Sequence, residues 1–288
     1  MSIVTFWNDD REQTGKTLTA IAIATEMAIE RNYKILLIST SFRDTTTRNC
    51  FWKNTKKSNL QFLGQGNSNI AVENGIAGLE KLVSSNKIQP SIITDYTKVV
   101  FKGRLEVLNG YNGIPGMPKE EAMRDYQRLA QCYPELIKLA NQYYDMVLVD
   151  LDKDIDEQVR NEILEISNLN ILVLSQRLQS LNLYKDEKQK DKKIRTPKNL
   201  AVIGKYRKET KYNKKNITRY LEERKEINIV PYNTLFFEAA EEADVTELFL
   251  KLRKIKDTTD DNYFFISEVL KTTNTILNRL QELQMKMR

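Results

Sequence analysis

Thr14-Gly15-Lys16-Thr17 carries the clearest chemical implication in this chain. It follows an apolar stretch, Ile3-Val4-Thr5-Phe6-Trp7, and runs into a segment with helical apolar spacing. A strand, a glycine-containing loop and a helix in that order form a phosphate-binding loop. The lysine can reach the β- and γ-phosphates of a nucleoside triphosphate, and the following hydroxyl can ligate Mg²⁺. Amides of Gln13, Thr14, Gly15, Lys16, Thr17 and Leu18 lie at the helix start, where the helix dipole also favours a polyanion. A nucleoside triphosphate and Mg²⁺ are therefore the expected cofactors. Asp150 closes another apolar strand, 144–150. A carboxylate there can organise Mg²⁺ together with Thr17. Lys16 and Asp150 are the expected catalytic pair, and Thr17 and Asp150 the expected metal residues. Asp152 and Asp154 read as loop charges.

The loop departs from the full pattern G-x-x-x-x-G-K-[ST]. Position 10 is Asp10 where that pattern has a glycine. A carboxylate beside a triphosphate is unfavourable unless it turns away or is screened by Mg²⁺ or Arg11.

Composition narrows the chemistry further. The 288 residues contain no histidine. That excludes Ser-His and Cys-His nucleophiles, histidine zinc sites and imidazole acid–base catalysis. Phosphoryl transfer needs none of these; positioning, Mg²⁺ and fixed positive charge carry it. Two cysteines, Cys50 and Cys132, suggest no disulfide framework. No apolar run approaches the ~20 residues that span a bilayer, and no signal-peptide pattern is visible. A cytoplasmic location, with contact at the inner face of the membrane left open, is the expectation. The net charge of +6 permits DNA, anionic lipid or acidic partners and selects none.

The elements that must position these residues follow from periodicity. A helix is expected over 17–31 and a buried strand over 34–39, which with the first strand makes a βαβ crossover. Residues 40–70 read as loop, 72–84 as a helix, 92–100 as irregular or extended, and 104–110 as a short strand and turn. One helix is expected over 119–142, then strands at 144–150, 170–175 and 199–204. The charged segment 185–198 reads as a solvated loop, a frayed helix or a docking surface. A helix over 214–225, a short strand over 227–231, a helix over 233–254 and a final helix over 263–285 complete the chain. The fold class is α/β: a mostly parallel twisted sheet with helices on both faces. Two units are expected, an ATPase domain over 1–256 and a C-terminal helix over 257–288 packed on it or on a partner. Lys271, Arg279, Lys286 and Arg288 give that helix a basic side that also suits peripheral membrane contact. Basic and aromatic residues interleave from Lys205 to Lys215, a pattern compatible with nucleic acid and with an ordinary solvated surface.

The loop at 11–17, the strand ending at Asp150 and the ending Pro231-Tyr232-Asn233 resemble the SIMIBI class of P-loop ATPases, in the ParA/MinD branch with its deviant Walker A loop. The resemblance covers most of the chain. It places Arg11 where the branch has its signature lysine, which reaches the phosphate held by the other subunit, and so implies a catalytic role for Arg11 and an ATP-bridged homodimer. It also places Glu12 and Gln13 where the branch has two glycines, so the loop loses conformational freedom. It implies that Pro231 and Asn233 lie near the base, because Gly204 replaces an asparagine that often reads it. It also places Ser39 and Ser41 where the branch usually has aspartates, one of which orients the attacking water; slow hydrolysis, or binding without turnover, follows. Within the branch, the altered loop and the Pro-Tyr-Asn ending look most like TadZ/CpaE-type proteins, which implies the positioning of a pilus or secretion assembly. A DNA-partitioning ATPase and a non-hydrolysing structural adaptor are the alternatives.

Overall fold

The computed structural model describes residues 1–8, 13–53, 76–84, 89–113, 116–190 and 195–286. Strands β1 (Ser2–Trp7), β2 (Ile35–Ser39), β3 (Lys98–Phe101), β4 (Leu105–Leu108), β5 (Met146–Asp150), β6 (Leu169–Leu174), β7 (Asn199–Tyr206) and β8 (Asn228–Pro231) form one sheet. Their order is β3-β4-β2-β5-β1-β6-β7-β8. All neighbours run parallel except the edge pair β3–β4. The expected α/β class is the observed one.

Alternation along the strands divides the core in two. Leu36 and Ile38 of β2, with Val147 and Val149 of β5, enter one cluster. Ile35 and Leu37, with Met146 and Leu148, enter the other. Buried on both faces, these strands are continuous apolar runs, as parallel strands must be. Helices α4 (Lys119–Ala130), α5 (Tyr133–Ala140) and α6 (Glu157–Ile166) contribute side chains such as Tyr126, Leu136 and Ile163 to the first cluster. Helices α1 (Lys16–Glu30), α9 (Thr234–Glu242), α10 (Val245–Leu252) and α11 (Asp261–Lys286) cover the other face. Phe265, Val269, Ile276 and Leu280 bury one side of α11 in that cluster.

Several expected elements differ. The helix expected over 119–142 is two, α4 and α5, because Pro134 stands in the first turn of α5 and cannot continue a helix from upstream. The helix expected over 233–254 is also two: Ala243 adopts the left-handed conformation (φ 64°) and ends α9 before α10 begins. Helix α6 was not expected at all. The segment expected to be irregular or extended over 92–100 holds a 3₁₀ turn, Pro90–Tyr96, and then β3. A short helix, α2 (Thr46–Asn49), lies within the stretch expected to be loop. Helix α3 (Ile76–Ser84) falls in the segment expected to be helical over 72–84, of which 72–75 lie outside the described residues, and α8 (Lys214–Tyr220) is shorter than the helix expected over 214–225. Residues 185–190 of the 185–198 segment are the last turns of a helix, α7 (Leu178–Lys190), in keeping with the helical alternative.

Candidate nucleotide site

The C-terminal ends of the parallel strands bring the expected residues together. Phe6 pairs with Asp150 across β1–β5, and Ser39 pairs with Asp150 across β2–β5. The described residues that follow β1, β2 and β5 therefore lie together at the carboxyl end of the sheet, where α/β folds of this kind bind ligands.

Gly15 is the N-cap of α1, in the left-handed conformation (φ 81°) that a residue without Cβ adopts freely. It has no side chain to cap the helix, and the first turn of α1 carries no acidic residue. Among the described residues no side chain caps the first amides of α1, which suits them to an external acceptor. Lys16 Nζ lies 2.8 Å from Asp150 Oδ1 and also donates to the Leu151 carbonyl. The Thr17 hydroxyl donates to Asp150 Oδ2 at 2.8 Å. Lysine, hydroxyl and carboxylate form one connected group, and Asp150 is buried. The hydroxyl keeps its lone pairs while donating to the carboxylate, which is the arrangement a Mg²⁺ ligand pair requires. The donor set fits ATP-Mg²⁺: lysine and helix amides for phosphate, hydroxyl and carboxylate oxygens for a hard cation.

These residues line a cleft of about 520 Å³ that also takes in Gln13, Thr14, Leu18, Phe42, Asp152 and Phe237. Arg11, Asp10 and Glu12 lie outside the described residues. Pro231 and Asn233 line an adjoining cleft of about 530 Å³ with Tyr206, Arg207 and Phe264. The Asn233 side chain caps α9 by accepting from Phe236 N at 2.8 Å, and it donates to Asn262 Oδ1 at 2.8 Å. In this arrangement Asn233 shapes the wall of the cleft.

No protein-family model matches the sequence, and no curated protein matches it either. Solved structures do match. A ParA-family ATPase from Chlorobium tepidum TLS superposes with a TM-score of 0.66 at 14% identity, over 94% of this chain and 98% of that one. The septum site-determining protein MinD of Pyrococcus horikoshii OT3, solved with Mg-ADP, gives 0.61 at 13% identity, over 97% and 98%. The MinC:MinD cell division complex of Aquifex aeolicus gives 0.60 at 12% identity, over 96% of each chain. The chain has the ParA/MinD ATPase fold.

Within the ParA/MinD fold, the loop after β2 is held firmly here. Phe42 packs against Tyr126 (5.2 Å between ring centroids) and Tyr111 (6.4 Å). Tyr111 N donates to Ser41 O at 2.9 Å and Arg43 N to Tyr111 O at 2.8 Å. The Tyr126 hydroxyl donates to Thr40 O at 2.6 Å. Burial raises the Tyr126 pKa well above the usual range, so this hydroxyl stays a donor. Gly110 sits so close that a Cβ there would meet Ser41 O at 2.3 Å. The Ser39 and Ser41 hydroxyls bond each other at 2.9 Å, and Ser41 also donates to Asp44 O at 3.1 Å. Asp44 is itself engaged, accepting from Thr46 N and Thr46 Oγ1.

Among the cleft residues that were not legible as site residues in the sequence, two stand out. Asp152 read as a loop charge, but its carboxylate accepts from Phe42 N at 3.0 Å and from Asp154 N at 2.8 Å, tying the β5 loop to the β2 loop. Burial raises its pKa, against the lowering effect of these bonds and of Lys16. Lys205 read as part of a basic surface run, and it lines the cleft beside Gly15. The adjacent Gly204-Lys205 pair was the available signal: a glycine at a strand end often marks a close backbone approach.

Proposed function

We propose that this chain is a ParA/MinD-type nucleotide switch that binds ATP with Mg²⁺ and turns it over slowly or not at all. The Lys16–Asp150–Thr17 group at the mouth of the helix-capping loop carries this reading. Bound ATP-Mg²⁺ would supply the γ-phosphate and cation charge around which the site closes. Lys16 would neutralise phosphate charge, and Thr17 and Asp150 would hold the cation through oxygen. Arg11 remains the proposed contact to a partner subunit's nucleotide.

Slow turnover is supported by the loop after β2. Its hydroxyls are engaged with each other or with backbone, and its own carboxylate, Asp44, is spent as a local cap. Homodimerisation across the cleft is supported by Phe237, which lines it and remains 48% exposed. The cargo reading, positioning of a pilus or secretion assembly as in TadZ/CpaE-type proteins, rests on the replaced loop glycines and on Pro231-Tyr232-Asn233. A division into an ATPase domain over 1–256 and a helix over 257–288 is retained as the organisation, with α11 seated on α1 and β8. No helix among the described residues is long and apolar enough to cross a membrane.

DNA partitioning is the less favoured reading, because two of the six basic residues of the stretch are paired with carboxylates of the same chain. Lys214 pairs with Glu268 at 2.8 Å and with Glu226 at 3.1 Å, and Lys208 pairs with Asp261. The test is calorimetry with ATP-Mg²⁺ and light scattering on the same samples. Binding with a monomer-to-dimer shift, both lost in Lys16→Ala, is expected. No binding at millimolar ATP would leave a structural adaptor as the reading.

A further inference from the structure

Strand β7 changes register against β8 between Ile203 and Tyr206. Within that irregularity, Lys205 adopts φ +48°, a left-handed conformation that costs a lysine energy. Irregularities of this kind re-aim side chains beside functional sites, and strained residues concentrate there. The aim here is specific. The Lys205 stem lies over Gly15: a Cβ built on Gly15 would come within 2.7 Å of Lys205 Cγ and 3.3 Å of both Cδ and Cε. The strand end itself presses on the loop, since a Cβ on Gly204 would meet Thr14 O at 2.3 Å.

Charge makes the placement consequential. The described part of the cleft carries the carboxylates of Asp44, Asp150, Asp152, Asp154 and Glu241 against the cations Lys16, Lys153 and Lys205, and Lys16 is held by Asp150. A polyphosphate entering it needs positive charge beyond Lys16. The Lys205 ammonium has no ion-pair partner among the described residues, and Lys205 lines the phosphate-loop cleft, while the next residue, Tyr206, lines the cleft of Pro231.

We infer that Lys205 is a second phosphate-binding cation of this site, reaching over Gly15 to the oxygens of a nucleoside di- or triphosphate. This rests on the nucleotide-switch reading. The backbone irregularity holds the lysine stem along the glycine, so its head group is delivered to the phosphate side.

The experiment is calorimetric titration of ATP, ADP and AMP with Mg²⁺ into wild type, Lys205→Met, Lys205→Arg, Lys153→Met and Lys16→Ala, with thermal unfolding of each. Methionine keeps an apolar stem on Gly15 and removes the charge. Lys153 is an exposed cation of the same cleft and controls for its general field. Lys205→Met is expected to weaken ATP and ADP about tenfold or more, the usual size of a lost charge-assisted contact. It is expected to change AMP much less, with Tm unchanged and substantial rescue by arginine. Equal ATP affinity in wild type and Lys205→Met, with Lys16→Ala inactive, would overturn the Lys205 assignment alone. The same would follow if Lys153→Met matched its effect or AMP weakened equally. A wild-type protein that binds none of the three nucleotides would overturn the nucleotide reading, and this inference with it.

Discussion

At the scale of single residues, the site turns on Asp150, which is bonded to both Lys16 and Thr17. Asp150→Ala removes the proposed Mg²⁺ anchor and leaves Lys16 without its carboxylate. ATP affinity in Mg²⁺ is expected to fall roughly tenfold or more, as when a charged hydrogen-bond partner is lost, to the level wild type shows in a chelator. Calorimetry with and without Mg²⁺ checks this; retained Mg²⁺ dependence would remove Asp150 from the cation site. Lys16, Thr17 and Asp150 were legible in the sequence because their signal is local: a short loop before a helix, and a carboxylate closing an apolar strand. Lys205 was not, because its place depends on a register change against a neighbouring strand. Asp152 was missed for a related reason. Its partner, Phe42 N, comes from a loop more than a hundred residues away in sequence.

At the scale of elements, the close packing of β7 on the loop before α1 sets the cleft's shape. Gly204→Ala would place a methyl against the Thr14 carbonyl, a backbone atom that cannot rotate away. A loss of about 1–3 kcal/mol is expected, as for other overpacked positions, together with weaker ATP binding because the loop must shift. Urea unfolding and calorimetry check both, and an unchanged Cm would show that the strand end yields. Strands were the most legible elements, since continuous apolar runs of this length admit few other readings. Helix ends were less so. Pro134 could have divided the 119–142 segment, whereas the break at Ala243 has no proline or glycine to announce it. Asp156 offered a visible start for α6: its side chain accepts from Gln158 N and Val159 N. The short apolar spacing after it, Val159 to Ile163, was too weak to mark a helix unaided.

At the scale of the whole molecule, one buried carboxyl makes a large contribution to the pH response. Glu26 of α1 is 3% exposed, and burial pushes its pKa from 4.5 up to about 7, with Glu30 adding to the rise and Arg253 opposing it. Between those values the folded state keeps a proton that the unfolded chain has released. Stability therefore falls as pH rises through that window, by roughly 3 kcal/mol at most, and stays at the lower level above it. Glu26→Gln is expected to be more stable than wild type near pH 8 and to lose most of this pH dependence, as read from urea midpoints across about pH 5–8. Phe237→Glu puts a charge on the exposed apolar rim of the cleft. It is expected to abolish ATP-dependent dimerisation while changing monomer stability by less than about 0.5 kcal/mol, as an exposed substitution should; light scattering and Tm check this. The aromatic clamp on the β2 loop bears on how such a molecule would keep time. With Phe42, Tyr111 and Tyr126 packed on one another, and Gly110 backed onto Ser41, that loop has little room to swing when a phosphate leaves. The lifetime of the loaded state would then be set by nucleotide escape, so occupancy would follow the surrounding supply. Such a protein is a gauge of available nucleotide, where a fast-hydrolysing relative would be a clock.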